Sequence, residues 1–371
     1  MGAIGAADGA AALSRILAYT APSLGQLYPL VPILDELRAR GHEVLLWTLE
    51  SEVAEMRLRG FDAAPISREV EALPMDDWRA RTAAGAGMRA LRTIRARAPH
   101  DRRDLEQAVE STRPDALVVD VLASGALSAA VSWGGPWCCY RPFPLPPSRI
   151  ALELLGIGKA LSVARLHLYM TVPRFEPSHR NRLPGIVMVG PCQWEPPGDL
   201  PVELADVGKP LVLVTTSTEF QDDGRLVEVA LEALAAEPVR TVATVPTASN
   251  LESEVPDNAT VVPFAPHTAI LERSLCAITH GGMGATQKAL ALGVPVCAVP
   301  FGRDQFEVAR RVEAVGAGSR LPARRLRGDR LRAKVREAIA CRQGAKRIGR
   351  AFAAAGGATA AADAVERRLL A

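Results

Sequence analysis

Ile278-Thr279-His280-Gly281-Gly282-Met283-Gly284-Ala285-Thr286 is the stretch on which the reading of this chain turns. The apolar run Leu275 to Ile278 before it reads as a buried parallel strand and the glycines as a tight turn. Ala285 to Leu292 then reads as a helix and Val294 to Val299 as the next strand, which together make one βαβ unit. Residues without side chains at 281 and 282 let a ligand approach the backbone. The free N–H groups of the first helical turn, at the positive end of the helix dipole, suit a phosphate. A Gly-Gly turn that merely packs tightly has the same local sequence, so the surroundings must decide.

Working outward, Pro210-Leu211-Val212-Leu213-Val214 reads as a strand that opens into a hydroxyl-rich turn, Thr215-Thr216-Ser217-Thr218, before a helix from Arg225 to Ala235. Val239 to Val245 and Ala259 to Val262 read as further strands, and Phe264-Ala265-Pro266-His267 as another loop. In a parallel sheet each of these loops falls at the same edge as the glycine turn. From 303 to 350 there are fifteen Lys or Arg against five Asp or Glu. Stacking aromatics are nearly absent there, so solvated helices are expected rather than a nucleic-acid site. Gly356-Gly357 reads as a hinge before a last helix, Ala358 to Leu370, that can pack back on the first half.

The first half repeats the pattern. Ile16 to Tyr19 reads as a strand, Ala21 to Gln26 as a loop, and Pro29 as a helix start with apolar residues at helical spacing to Arg38. Gly41 ends that helix, and His42 to Trp47 begins a second strand. Residues 68 to 106 read as Arg- and Ala-rich helix. Ala116-Leu117-Val118-Val119-Asp120 reads as a buried strand with a carboxylate at its C-terminal end, where open α/β sheets place ligand-contacting groups. Pro142 to Pro147 mark an irregular segment, and Ile150 to Met170 reads as an apolar helical stretch that either lines a pocket or fills the core. Ile186 to Val189 reads as a strand, and the Pro- and Gly-rich Cys192 to Pro201 as a linker.

With 371 residues, 48% hydrophobic content and a net charge of +3, the chain is expected to form two or three globular domains with no global bias toward nucleic acid. Six cysteines show no metal-type spacing, and several lie in apolar runs, which suggests free thiols in a reducing cytoplasm. Met1 to Ser14 lacks a basic segment and reads as a flexible leader rather than a signal peptide. No apolar run reaches the roughly 18 residues of a membrane span.

Taken together, these residues resemble the GT-B type of nucleotide-sugar-dependent glycosyltransferase, the large family that glycosylates antibiotics, lipids and other small molecules. The matches are Gly25 and Pro29, Gly41-His42-Glu43-Val44, Asp120, Gly190-Pro191, His280-Gly281-Gly282, Ala289-Leu290 with Gly293-Val294-Pro295, Pro300 and Asp304-Gln305. The resemblance implies two Rossmann-like doubly wound α/β domains facing across a cleft. Residues 1–195 would bind the acceptor, 196–355 the donor, and 356–371 would form the C-terminal helix. It further implies a donor site built from Thr216, Ser217, Thr218, Phe264, His267, His280, Gly281, Gly282, Met283, Gly284, Asp304 and Gln305. In that site Phe264 stacks on the base, the glycine turn holds the diphosphate, and Asp304-Gln305 bond the sugar hydroxyls. The expected partners are a nucleotide sugar as co-substrate and a small-molecule acceptor, with no metal or other cofactor. A homodimer is among the expectations.

Two departures from the family pattern stand out. Relatives carry a catalytic His between Gly25 and Leu27, oriented by a carboxylate at the position of Asp120; here that residue is Gln26, and an amide has no useful basicity. Three readings follow: Asp120 acts as base directly or through water, a His outside the motif does so, or the chain is an impaired or accessory form. A UDP-sugar epimerase of the same fold is a further alternative. The second departure is Lys288, where many relatives carry a Glu that contacts ribose, which favours dTDP over UDP as donor nucleotide.

Overall fold

A computed structural model describes residues 13–80, 82–144, 149–176, 184–201, 204, 208, 210–245 and 254–371. Two fully parallel sheets organise the chain. The first has seven strands: β1 (Arg15–Tyr19), β2 (Glu43–Thr48), β3 (Asp62–Pro65), β4 (Ala116–Asp120), β5 (Trp137–Arg141), β6 (Leu166–Tyr169) and β7 (Ile186–Met188). Their spatial order is β3-β2-β1-β4-β5-β6-β7. The second has β8 (Leu211–Thr215), β9 (Arg240–Thr244), β10 (Ala259–Val262), β11 (Ser274–Thr279), β12 (Val296–Ala298) and β13 (Gly318–Arg320), ordered β10-β9-β8-β11-β12-β13. These are two Rossmann-like domains, and in each the strand order reverses next to the first strand, at β1/β4 and β8/β11. Such switch points open a crevice at the carboxyl ends of the strands.

Around the first sheet lie α1 (Leu24–Leu27), α2 (Val31–Ala39), α3 (Glu50–Leu58), α4 (Arg68–Glu71), α5 (Ala83–Thr112), α6 (Ser124–Trp133), α7 (Arg149–Leu154) and α8 (Gly158–Val163). Around the second lie α9 (Arg225–Leu234), α10 (His267–Leu271), α11 (Met283–Ala291), α12 (Gln305–Ala314), α13 (Gly328–Ala340) and α14 (Arg342–Ala354). Both faces of each sheet are covered, so the central strands are uniformly buried. A strand buried on both faces reads as an unbroken apolar run rather than an alternation. The last helix, α15 (Gly357–Val365), returns to the first domain and packs on α2, where Arg40 meets Asp363 at 2.7 Å and Glu366 at 2.6 Å, and His42 meets Glu366 at 3.1 Å.

Three local expectations are corrected. Residues 21–26 are not wholly loop, because Gln26 lies inside the single turn α1. The stretch 150–170 is not one helix: it is broken at Gly156, which has φ +73°, and its end is β6, fully buried between β5 and β7. His267 is not a loop residue but opens α10. Strands β3, β5 and β13 carried no clear signal. The first is four residues with a proline, and the last is three residues with two polar side chains. The second, Trp137-Cys138-Cys139-Tyr140-Arg141, ends in a charged residue that strand patterns disfavour. Residues 1–12 of the leader and residues 145–148 of the proline-rich segment lie outside the described residues.

The domains meet through buried polar contacts. Arg311 on α12 forms a bidentate pair with Glu176, which follows β6: Nη2 lies 2.8 Å from Oε1 and 3.0 Å from Oε2, and both side chains are only 2% exposed. Gln287 on α11 donates to the backbone oxygen of Met170. Removing one member of a buried pair strands the other charge, at a cost of about 3–5 kcal/mol, whereas replacing both by apolar residues is often close to neutral. Arg311→Ala should therefore lower the unfolding midpoint in urea strongly, and the double variant Arg311→Met with Glu176→Leu should recover most of the loss.

Candidate active site

At the second switch point, Gly281 turns the chain with φ +86°, a conformation that disfavours any side chain, and its N–H donates to Thr279 Oγ1 at 3.0 Å. Gly282 caps α11 and has no room for a Cβ, which would collide with the His280 ring. Open space surrounds Gly284 in the first turn, while Met283 points into the core. The His280 ring is 8% exposed; it is hydrogen-bonded to the Thr215 backbone, but its Nδ1 has no partner. Burial holds its pKa down at about 4, so the ring is neutral. The arrangement is a helix N-terminus with exposed space before it and an unspent imidazole nitrogen alongside.

The neighbouring loops converge on this turn. Ser217 donates its N–H to Asp223 Oδ2 at 2.7 Å, and its Oγ accepts from Gln221 at 2.8 Å. Gln221 in turn accepts from Gln305 Nε2 at 2.6 Å, while Gln305 Oε1 accepts from the N–H groups of Phe301 and Gly302 at 2.8 and 3.0 Å. Gln305, expected to reach the sugar, uses its amide oxygen and one of its two amide N–H groups to join the Ser217 loop to the loop after β12. Asp304 beside it has no such side-chain network, and burial raises its carboxyl to about 6. Of the hydroxyl turn, Thr216 and Ser217 are buried, Thr216 Oγ1 is without a partner, and Thr218 is exposed. Phe264 is 48% exposed. His267 bonds Thr244 Oγ1 through Nε2 at 2.8 Å, and burial lowers its pKa to about 4.

The sequence reading missed three site features. Glu195, in the linker, accepts from His267 N at 3.0 Å, Thr268 N at 3.1 Å and Lys288 Nζ at 2.6 Å. It thereby ties α10 to α11. Arg303 adopts φ +53° and clasps Asp77 of the first domain at 2.8 Å and Glu219 at 2.6 Å. Beside that clasp, Trp78 packs edge-on against Phe220, with ring centroids 4.8 Å apart. No local motif announces any of these, because each partner comes from a distant segment.

At the first switch point, Gln26 is 7% exposed and Asp120 is fully buried. Asp120 accepts from Ala21 N at 3.0 Å and Leu122 N at 2.8 Å, and with its nitrogen turned inward the Gln26 amide donates to Oδ1 and Oδ2 at 3.1 and 3.2 Å. Tyr140 Oη donates to the Gln26 backbone oxygen at 3.0 Å. Gln26 and Asp120 are therefore brought together, but the carboxyl lacks the exposure that direct proton abstraction needs. Among the described residues, no group of three or more His, Cys, Asp or Glu side chains is placed to hold a metal ion, and no helix is long and apolar enough to cross a membrane. All six cysteines are free.

Residues 228–366 match the family model described as erythromycin biosynthesis protein CIII-like, C-terminal domain. The chain is similar to 4'-demethylrebeccamycin synthase of Lentzea aerocolonigenes, 29% identical over 88% of this chain and 92% of that one. Its fold matches the crystal structure of the glycotransferase of kitacinnamycin, with TM-score 0.76 and 25% identity, covering 96% of this chain and 99% of that one. The chain shares the GT-B fold of these glycosyltransferases. The same fold occurs in the glycosyltransferase VinC, solved in complex with dTDP, at TM-score 0.72 and 22% identity, covering 95% of this chain and all of that one.

In this chain, burial raises Asp120 to about 7. Between about pH 4 and 7 the unfolded carboxyl is ionised while the folded one keeps its proton. The contribution of this group to stability is therefore complete in acid and is lost as pH rises through 7. Against wild type, Asp120→Asn should gain stability with rising pH by about 1.4 kcal/mol per unit over that window. Denaturation curves of the two proteins from pH 4 to 8 check this, and a pH-independent difference would refute it.

Proposed function

We propose that the enzyme transfers a sugar from a nucleoside diphosphate sugar to a hydroxyl of a hydrophobic small molecule, with inversion and without a divalent metal. The observation that carries this reading is the His280-Gly281-Gly282 turn, with its excluded Cβ, its capped helix and its unpartnered imidazole nitrogen. As the glycosidic bond breaks, negative charge grows on the departing diphosphate. Donors already fixed at that point lower the barrier beyond what they contribute to binding the intact donor. In this reading the N–H groups of α11 and the Ser217 and Thr216 hydroxyls take the phosphates, Phe264 stacks on the base, and the Asp304 carboxylate takes the sugar hydroxyls. Gln305 acts indirectly by holding two loops in register.

The Glu195–Lys288 pair lies where α10 approaches α11, between the Phe264 platform and the phosphate turn. Its carboxylate already has three donors, which leaves little acceptor capacity for an extra ribose hydroxyl. That supports a deoxynucleotide such as dTDP as the donor nucleotide.

On the acceptor side, Gln26 cannot take a proton. With its nitrogen turned to Asp120, its amide oxygen is left to receive the acceptor hydroxyl's hydrogen bond, so it orients the nucleophile while water carries the proton away. The same substitution favours a second reading, an accessory protein that binds the nucleotide sugar without turnover. An epimerase would instead act on a nucleotide sugar with no acceptor present.

Nucleotide binding and turnover separate these cases. dTDP and UDP should raise the melting temperature, dTDP by more, and Gly282→Ala should weaken binding at least tenfold by displacing His280. If no nucleoside diphosphate stabilises the wild-type chain, the donor-site assignment fails. A general base typically contributes about 10²–10⁴-fold. Gln26→His, which restores a base against Asp120, should therefore raise product formation, followed by mass spectrometry with pooled hydrophobic acceptors, by up to that range.

A further inference from the structure

We propose that Arg141 anchors a carboxylate carried by the acceptor, so that the acceptor class is a hydroxylated apolar carboxylic acid; this rests on the transferase reading above. Arg141 ends β5, beside the strand that carries Asp120, at the edge of the sheet that faces the second domain. It is 1% exposed, yet Nε, Nη1 and Nη2 all lack a hydrogen-bond partner. Its guanidinium lies 4.4 Å from the centroid of the Tyr169 ring, the cross-strand neighbour in β6. Buried charges are ordinarily paired and hydrogen-bonded, so five N–H donors left idle in the core are exceptional.

Among the described residues, the surroundings supply no hydrogen-bonding partner. The nearby carboxylate is Glu176, whose oxygens already receive the Tyr169 hydroxyl at 2.7 Å and the Arg311 fork. His167, two residues before Tyr169, bonds the Leu161 carbonyl through Nε2 at 2.9 Å. A carbonyl only accepts, so Nε2 carries the proton and Nδ1 is bare; the ring is neutral, its pKa held at about 4 by burial and by Arg141. Asp120 sits on β4 opposite Tyr140, whose side chain packs with the other face of the sheet, and it is engaged by Ala21, Leu122 and Gln26. The buried Thr171 hydroxyl, two residues past Tyr169, is also unpartnered and offers a further donor.

The face around Arg141 is otherwise apolar, with Ile157 and Leu161 above the sheet and Phe143 bridging toward the second domain. One unpaired monocation in such a setting suits a singly charged, planar carboxylate on an apolar body, because the guanidinium fork matches it with two parallel hydrogen bonds. A phosphate dianion would want a second cation. Arg311, which shares Glu176 with the Tyr169 hydroxyl, is held by Glu176 and Glu307.

The test compares hydroxylated aromatic carboxylic acids, each paired with its methyl ester, for binding to the dTDP-loaded chain by calorimetry. Wild type should bind the acids at least tenfold more tightly than the esters. Arg141→Met should bind acid and ester alike while dTDP still raises its melting temperature as in wild type, and without ligand it should melt no lower than wild type, since it loses a buried unpaired charge. Should Arg141→Met fail to fold, Arg141→Lys keeps the charge without the fork and should retain a reduced preference for acids. Equal binding of acid and ester by wild type, no binding of any acid, or an acid preference that survives in Arg141→Met would each overturn the proposal. Loss of the dTDP response in wild type would instead overturn the transferase reading on which it rests.

Discussion

The buried pair between Arg311 and Glu176 is the contact on which the placement of the two domains depends. Each charge would be costly in the core alone; Glu307 and the Tyr169 hydroxyl meet part of the demand, and the bidentate match forms only when α12 of one domain lies against the segment after β6 of the other. Such a pair adds little net stability compared with an apolar contact, but its fixed geometry penalises other arrangements of the two sheets. The Arg303 clasp on Asp77 and the Gln287 contact with Met170 follow the same logic at neighbouring points. Polar contacts thus fix the relative position of two cores that apolar packing alone would leave free to slide.

This dependence explains what could be read from the sequence. The central strands β1, β4, β8 and β11 and the Gly281 turn were legible because local physics dictates them: continuous apolar runs, and a backbone angle that glycine alone adopts easily. The rest of the site was less legible because it is assembled from pairs distant in sequence. Glu195 lies in a segment that reads as a linker, yet it fixes α10 against α11. Arg303 reads as one more surface charge, yet with Asp77 it joins the domains. Strand β6 was hidden because Leu166-His167-Leu168-Tyr169 is only four residues long and follows an apolar stretch at helical spacing; it is ordered by its neighbours on both sides.

Burial sets the charge states at both switch points in a consistent way. His280 and His267 are kept neutral, whereas Asp304 and Asp120 are pushed toward their protonated forms. A region that resists charge of either sign in the free protein gains most when a ligand brings charge with fixed donors already waiting, because little solvent or side-chain reorganisation is then required. The α11 N-terminus provides such donors for an anion without any titratable group having to change state.

The Gln26–Asp120 contact shows how one residue alters this balance. A histidine at position 26 would let the carboxyl face an imidazole that gains positive charge as it takes a proton, and the carboxylate form would be favoured. An amide never becomes charged, so only the Ala21 and Leu122 N–H groups offset the burial of Asp120, and its carboxyl still rises to about 7. In the proposed transferase reading, an amide at position 26 supplies no base and leaves Asp120 less charged than a neighbouring imidazolium would. What remains at this position is a hydrogen-bonding group fixed from two sides, by Asp120 at its amide and by the Tyr140 hydroxyl at its backbone. Under the proposed transferase reading, that geometry suits orientation of an acceptor hydroxyl better than removal of its proton.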